Sequence, residues 1–326
     1  MRPPPTGTKT GPSPRITPER DVTGDPPLAR SASARQKLLF GLLCLIWGSN
    51  WLALKVGMTV VPPGFFSGTR WTVAGLLLLA WRWWRGADNR VNPRLLARLT
   101  LVAGLMVALN ALIQNYGLRL VDSGLAAVIS SALTPIALLG FGVLLGQERF
   151  STRQAAAIAL GVFGILLLFG PKAARGGLGG LELLGAAGVV VGCLCYSLGS
   201  VLSRPLMRVM PPAQVATMTN LFGGLMLLLW SVPFEPGASQ AMRFDWGGAA
   251  WVSWLFLLGP GSLGGTIIYF ALVRDWGAGR AGTYAFVTPV ISVALGVFAL
   301  GERVDLADVA GMSTMLAAAG LALRRR

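Results

Sequence analysis

The sequence predicts an all-α integral membrane protein with ten transmembrane helices arranged as two inverted five-helix repeats. Three observations carry this expectation. Of the 326 residues, 54% are hydrophobic and only 13% charged, whereas roughly 25% of an ordinary soluble domain is charged. Apolar runs of membrane-spanning length follow one another from Lys37 to the C-terminus, and blocks of the second half repeat the punctuation of the first. With a mean hydropathy of +0.63, the chain carries more apolar surface than a soluble fold of this size can bury. A soluble enzyme and a nucleic-acid module are therefore not expected, despite a net charge of +15.

Residues 1–36 hold eight of the twenty prolines and no apolar run. This composition reads as a disordered cytoplasmic tail, without the h-region and cleavage site of a secretory signal. Beyond it, a helix needs about 20 residues to cross a ~30 Å hydrocarbon core. Runs that meet this need lie at 38–59, 64–84, 97–118, 123–146, 154–170, 182–203, 213–233, 249–272, 280–300 and 306–323. Asn110, Gln114 and Asn115 dilute the third run, and Gly259-Pro260 interrupts the eighth.

The basic residues between the runs fall into two unequal sets. One set gathers 18, from Arg20, Arg30, Arg35 and Lys37 through Arg82–Arg98, Arg149, Arg153, Arg204, Arg208, Arg274 and Arg280 to Arg324–Arg326. The other holds Arg119, Lys172, Arg175, Arg243 and Arg303. The positive-inside rule then places both termini in the cytoplasm, in a multi-pass protein of the cytoplasmic (inner) membrane. Topology accounts for the positive charge without a nucleic-acid partner. Trp81, Trp83, Trp84, Trp230, Trp246 and Trp276 fall near run ends, the positions of an interfacial aromatic belt.

Shifting the first half by 149 residues lays CLIWGSNWLALKVGM (44–58) on CLCYSLGSVLSRPLM (193–207). The same shift matches Pro62-Pro63 to Pro211-Pro212 and Ala74-Gly75 to Gly223-Gly224. A shift of 154 lays LTPIALLGFGVLLGQER (133–149) on VTPVISVALGVFALGER (287–303). The repeats are thus residues 37–171 and 181–323. Five spans is an odd number, so the second copy enters the membrane upside down. Inverted repeats mark alternating-access carriers with a midplane site between the halves. A duplication kept only for packing is the bland alternative.

These segments resemble the drug/metabolite transporter superfamily, and specifically its ten-span EamA branch. The resemblance rests on IWGSNWLALKVG in the first span, on Arg70 in the second, and on the two TP…GER blocks, one in each repeat. It implies an inner-membrane carrier with cytoplasmic termini and a central cavity, whose relatives move amino acids and other small metabolites, mostly outward. Thr219-Asn220 stands where the first repeat has Arg70-Trp71, so any role of that Arg is confined to one half.

Charges within hydrocarbon are costly and point to function. Lys55 and Arg70 lie roughly 7–9 Å below the outer surface, at 1.5 Å of helix rise per residue. They are candidates for attracting a substrate carboxylate, and snorkelling to the headgroups is the alternative. Within the runs, acidic residues stand only in the first turns, Glu182 and Asp308, and none lies at mid-span depth, which favours zwitterionic or anionic cargo over a polycation. Pro135 and Pro289 sit near mid-span as candidate helix kinks or hinges. Glu148 and Glu302 read as interfacial structural groups, each beside an Arg. Further cavity candidates are Trp47, Asn50, Asn110, Gln114, Ser130, Tyr196, Tyr269 and Tyr284, polar or aromatic side chains at mid-span depth.

With no His, and three Cys that all lie in apolar runs, no metal site, disulfide framework or cofactor is indicated. No catalytic residues are assigned, because a metal-dependent membrane transferase needs clustered carboxylates or His. The expected function is secondary transport: export of an amino acid or related carboxylate-bearing metabolite. Drug or multidrug efflux on the same fold stands as the alternative, and beyond it a membrane sensor or transferase. The partners implied are a small-molecule substrate and the lipid bilayer. No oligomeric state follows from the sequence.

Overall fold

A computed structural model describes residues 34–121, 123–174, 180–300 and 306–323. Residues 1–33 of the predicted tail and Glu302 lie outside the described residues, while Ala34–Gln36, read as tail, are the first residues of a helix. The described chain is helical, as it must be where no water meets the backbone and each N–H needs a partner within its own segment. In order, the long segments are α1 (Ala34–Met58), α2 (Pro63–Trp84) and α3 (Pro93–Leu118). They continue with α4 (Ser123–Leu144), α5 (Thr152–Ala174), α6 (Gly180–Arg208) and α7 (Pro212–Phe234). The last three are α8 (Gly248–Trp276), α9 (Tyr284–Leu300) and α10 (Leu306–Leu323). Among the described residues, α3, α6, α7 and α8 are long and apolar enough to cross a membrane.

Local chemistry sets the starts. Pro63, Pro93 and Pro212 each open a helix, where a missing N–H costs nothing. The Asn92 side chain accepts from the Arg94 N–H at 3.0 Å. At α2 the cap comes from the other half of the chain. Buried Glu235 accepts from the Gly64 N–H at 2.9 Å and the Phe65 N–H at 2.8 Å, a carboxylate at the positive end of a helix. Tyr116 and Ser231 donate to the same carboxylate.

The two diluted or interrupted runs are continuous helices. Each contains a π-helical stretch, Gly104–Leu109 in α3 and Leu257–Gly265 in α8. The wider turn accommodates Pro260, which lacks the N–H an α-helix would use. Pro135 and Pro289 lie inside α4 and α9, and both are buried.

The helix pairings recur when the first five helices are exchanged with the last five. α2 packs on α7, and α5 on α10; α3 packs on α6 as α8 does on α1. α4 packs on α6 as α9 does on α1, and α4 meets α5 as α9 meets α10. At α2–α7 the correspondence reaches single atoms. A Cβ added at Gly75 would lie 2.5 Å from the Leu221 nitrogen, and one added at Gly224 would lie 2.3 Å from the Thr72 nitrogen. The 149-residue shift carries Gly75 onto Gly224 and Thr72 onto Leu221, so the two contacts exchange under it. Small residues here let the backbones touch, the main source of helix affinity in lipid.

One placement differs from expectation. Trp246 is 4% exposed, so it is no part of an interfacial belt. Residues 235–247 fold back over the start of α2, stacking Trp246 on Trp251 at 4.6 Å and setting it against Phe65 and Phe66. Trp83 and Trp84 do remain exposed.

Candidate functional site

A cavity of about 240 Å³ lies between the two halves, close to the small end of the roughly 300–1,000 Å³ typical of small-molecule sites. Eight helices contribute to its wall, four from each half. α5 and α10 contribute none of its lining residues and pack on each other instead.

The wall contains nine of the expected residues: Arg70, Trp47, Asn50, Asn110, Gln114, Ser130, Tyr196, Tyr269 and Tyr284. Lys55 lies on α1, with its side chain outside the described residues. Asn110 and Gln114, one helical turn apart, share the cavity face of α3, and Gln114 Nε2 donates to Ser130 Oγ at 3.0 Å. Thr134 and Thr288, the residues that precede Pro135 and Pro289, also line the wall.

Arg70 does not snorkel. It is 5% exposed and faces the protein interior. Its Nη1 donates to Ser262 Oγ at 2.9 Å, and the guanidinium lies 4.4 Å from the centroid of the Trp71 ring. Its Nε has no partner, and among the described residues no carboxylate pairs with it. Burying such a charge without a counter-charge costs several kcal/mol. Ser262 carries no signal in the sequence, because a single Ser in a Gly/Pro-rich stretch has no periodicity. The π stretch of α8 is what places it opposite Arg70.

Aromatic rings cluster on one part of the wall, Trp47 from α1, Tyr196 from α6, Tyr269 from α8 and Tyr284 from the start of α9. Trp47 lies 5.1 Å from Tyr269 and 4.7 Å from Tyr284, centroid to centroid. The Tyr284 hydroxyl donates to that of Tyr196 at 3.2 Å, and Tyr269 bonds Ser200. Trp47 and Tyr196, equivalent positions of the two repeats, thus meet on Tyr269.

Glu148 lies outside the cavity lining and does not rely on the adjacent Arg149. It accepts from the Gly279 N–H at 2.8 Å and so ties the α4–α5 connection to the α8–α9 connection. Burial pushes its carboxyl above the usual range, while the Gly279 N–H and the Arg204 guanidinium pull the other way. A Cβ at Gly277, whose φ is +87°, would lie 2.7 Å from Glu148 Oε1, so glycine is required there both for conformation and for space.

A helical membrane bundle enclosing a polar and aromatic cavity between matching halves is the architecture of a transporter. The chain belongs to the EamA-like transporter family, whose model matches residues 36–170 and 183–324. It is a multi-pass membrane transporter and not an enzyme. It is 30% identical over 275 residues to the uncharacterized inner membrane transporter YedA of Escherichia coli (strain K12), covering 82% of this chain and 84% of that one. It is 26% identical over 278 residues to the uncharacterized transporter YoaV of Bacillus subtilis (strain 168), covering 84% and 92%. A protein of Salmonella typhimurium named as a probable amino-acid metabolite efflux pump is 23% identical over 302 residues, covering 87% and 93%. A solved crystal structure shares the fold, with a TM-score of 0.73 at 21% identity over 88% of this chain and 96% of that one.

Proposed function

We propose that this protein is a secondary carrier that exports a small carboxylate-bearing metabolite, an amino acid or a related compound, across the cytoplasmic membrane. The observation that carries this reading is Arg70, buried in the cavity wall with no carboxylate partner among the described residues. A substrate carboxylate supplies the missing counter-charge and takes the guanidinium fork through paired hydrogen bonds. The resemblance to a protein named as an amino-acid metabolite efflux pump points the same way.

In this reading α1 to α10 all cross the bilayer, as two inverted repeats with both termini in the cytoplasm. The exchange of helix pairings between the halves supports the inversion, and the distribution of basic residues supports the orientation. Glu148 and the Trp47–Tyr196–Tyr269–Tyr284 cluster then seal the cytoplasmic side, and rocking one half against the other opens it. Pro135 and Pro289, each next to a cavity threonine, are the positions at which α4 and α9 flex.

Counterflow tests this. Liposomes holding the purified full chain and loaded with unlabelled amino acids are expected to concentrate the same labelled compounds transiently. A sensor or transferase gives no such overshoot, and its absence for every carboxylate-bearing compound tried ends the proposal.

A further inference from the structure

We propose that the connection between α2 and α3, with the adjoining end of α6, is a docking surface for anionic phospholipid headgroups in the leaflet read as cytoplasmic, whatever the cavity carries. From Trp81 to Arg98 the chain holds five Arg and a single acid, Asp88; from Pro205 to Gln214 it adds Arg208 and no acid. Two bonds hold these stretches together. Arg98 Nε donates to the Leu202 carbonyl at 3.1 Å, and Gln214 Nε2 donates to the Arg90 carbonyl at 3.1 Å. Arg208 lies between those two anchor points along the chain.

The connection is braced from beneath by Arg82, which is 5% exposed. Its Nε donates to Asn89 Oδ1 at 2.8 Å and its Nη2 to the Asp88 carbonyl at 2.7 Å, while Asp88 Oδ1 accepts from the Arg90 backbone N–H at 2.8 Å. These bonds fix the backbone and leave Arg85, Arg90, Arg94 and Arg208 exposed. Among the described residues, none of the four forms an ion pair with a carboxylate. Arg94 and Arg98 stand one turn apart on α3, a spacing at which like charges repel, so this surface lacks an anion. The tryptophans say which one. Trp83 and Trp84, in the last turn of α2, are 79% and 78% exposed, and Trp at a helix end sits at headgroup depth. The guanidiniums beside them therefore lie at the level of lipid phosphates, whose oxygens an Arg fork bonds in pairs. A phosphatidylcholine headgroup brings its own cation and leaves the arginines uncompensated, whereas phosphatidylglycerol brings a net negative charge.

The test titrates the purified full chain in detergent micelles with phosphatidylglycerol or with phosphatidylcholine of the same acyl chains, and counts lipid-bound protein by native mass spectrometry. Near an anionic headgroup each basic residue is worth about fivefold in binding. The double substitution Arg90→Gln with Arg94→Gln should therefore lose about 25-fold in affinity for phosphatidylglycerol and little for phosphatidylcholine. Arg119→Gln with Arg243→Gln removes the same charge from the smaller basic set and should bind as the unaltered chain does. Arg90→Lys with Arg94→Lys keeps the charge and should retain most of the affinity. Equal binding of the two lipids by the unaltered chain overturns the proposal, whether or not the substituted chains fold. So does an equal loss in both glutamine pairs, because net charge alone is then being read. Displacement of the lipid by an equal concentration of inorganic phosphate marks a soluble-anion site and overturns the lipid assignment.

Discussion

Replacing Arg70 by Gln is expected to slow transport of carboxylate-bearing substrates by about tenfold to a hundredfold while the protein still inserts and folds. A hydrogen bond to a charged group contributes about 1.5–3 kcal/mol, and each 1.4 kcal/mol or so is tenfold in affinity. Folding survives because the substitution removes a buried cation that has no carboxylate partner among the described residues, and neutralising an uncompensated charge relieves its desolvation. Gln keeps a donor for Ser262 Oγ, the partner at 2.9 Å. Arg70→Lys retains the charge but loses the planar fork, so its loss should be intermediate. Initial rates in liposomes, normalised to reconstituted protein, measure both. Full-rate export of every such substrate by Arg70→Gln removes Arg70 from the mechanism.

The second large effect falls on folding. Gly224→Leu is expected to abolish recovery of monodisperse protein from detergent, because even a Cβ there would lie 2.3 Å from the Thr72 backbone nitrogen. A backbone atom cannot rotate away, unlike the end of a side chain. Gly224→Ala alone should lower thermal stability by the upper end of the ~1–3 kcal/mol typical of overpacking. Gly140→Ala is the control. Nothing lies within 4 Å of a Cβ there, and exchanging a helical Gly for Ala is neutral or stabilising by about 1 kcal/mol. Should Gly224→Leu melt with the unaltered protein, close contact between α2 and α7 is not what joins them.

Much of the cavity was legible because its chemistry stands out against apolar helices. Asn110 and Gln114, or Trp47 and Tyr196, are conspicuous where Leu and Ala are the rule, and they share one wall. Partners distant in sequence were not legible. Glu148 next to Arg149 suggests a local pair, yet its carboxylate accepts from the Gly279 N–H, 131 residues on. Nothing near Glu235 announces that it caps α2, although the Pro62-Pro63-Gly64 start of that helix lacks an acceptor of its own. Trp246 resembles an interfacial residue by position and is buried by the fold-back of its loop. Gly259-Pro260 reads as a break, and the π stretch absorbs it without ending α8. Composition and periodicity report the face and depth of a side chain, and they are silent on which distant segment covers it.

Single-cysteine accessibility tests the inverted arrangement most directly. With Cys44, Cys193 and Cys195 replaced by Ser, one cysteine at position 149 and another at position 303, equivalent sites of the two repeats, are probed in intact cells with a membrane-impermeant thiol reagent. Inversion predicts that position 303 reacts from outside, and that position 149 reacts only after the membrane is permeabilised. Reaction of both positions from the same side contradicts it, and alternating access through matched halves falls with it.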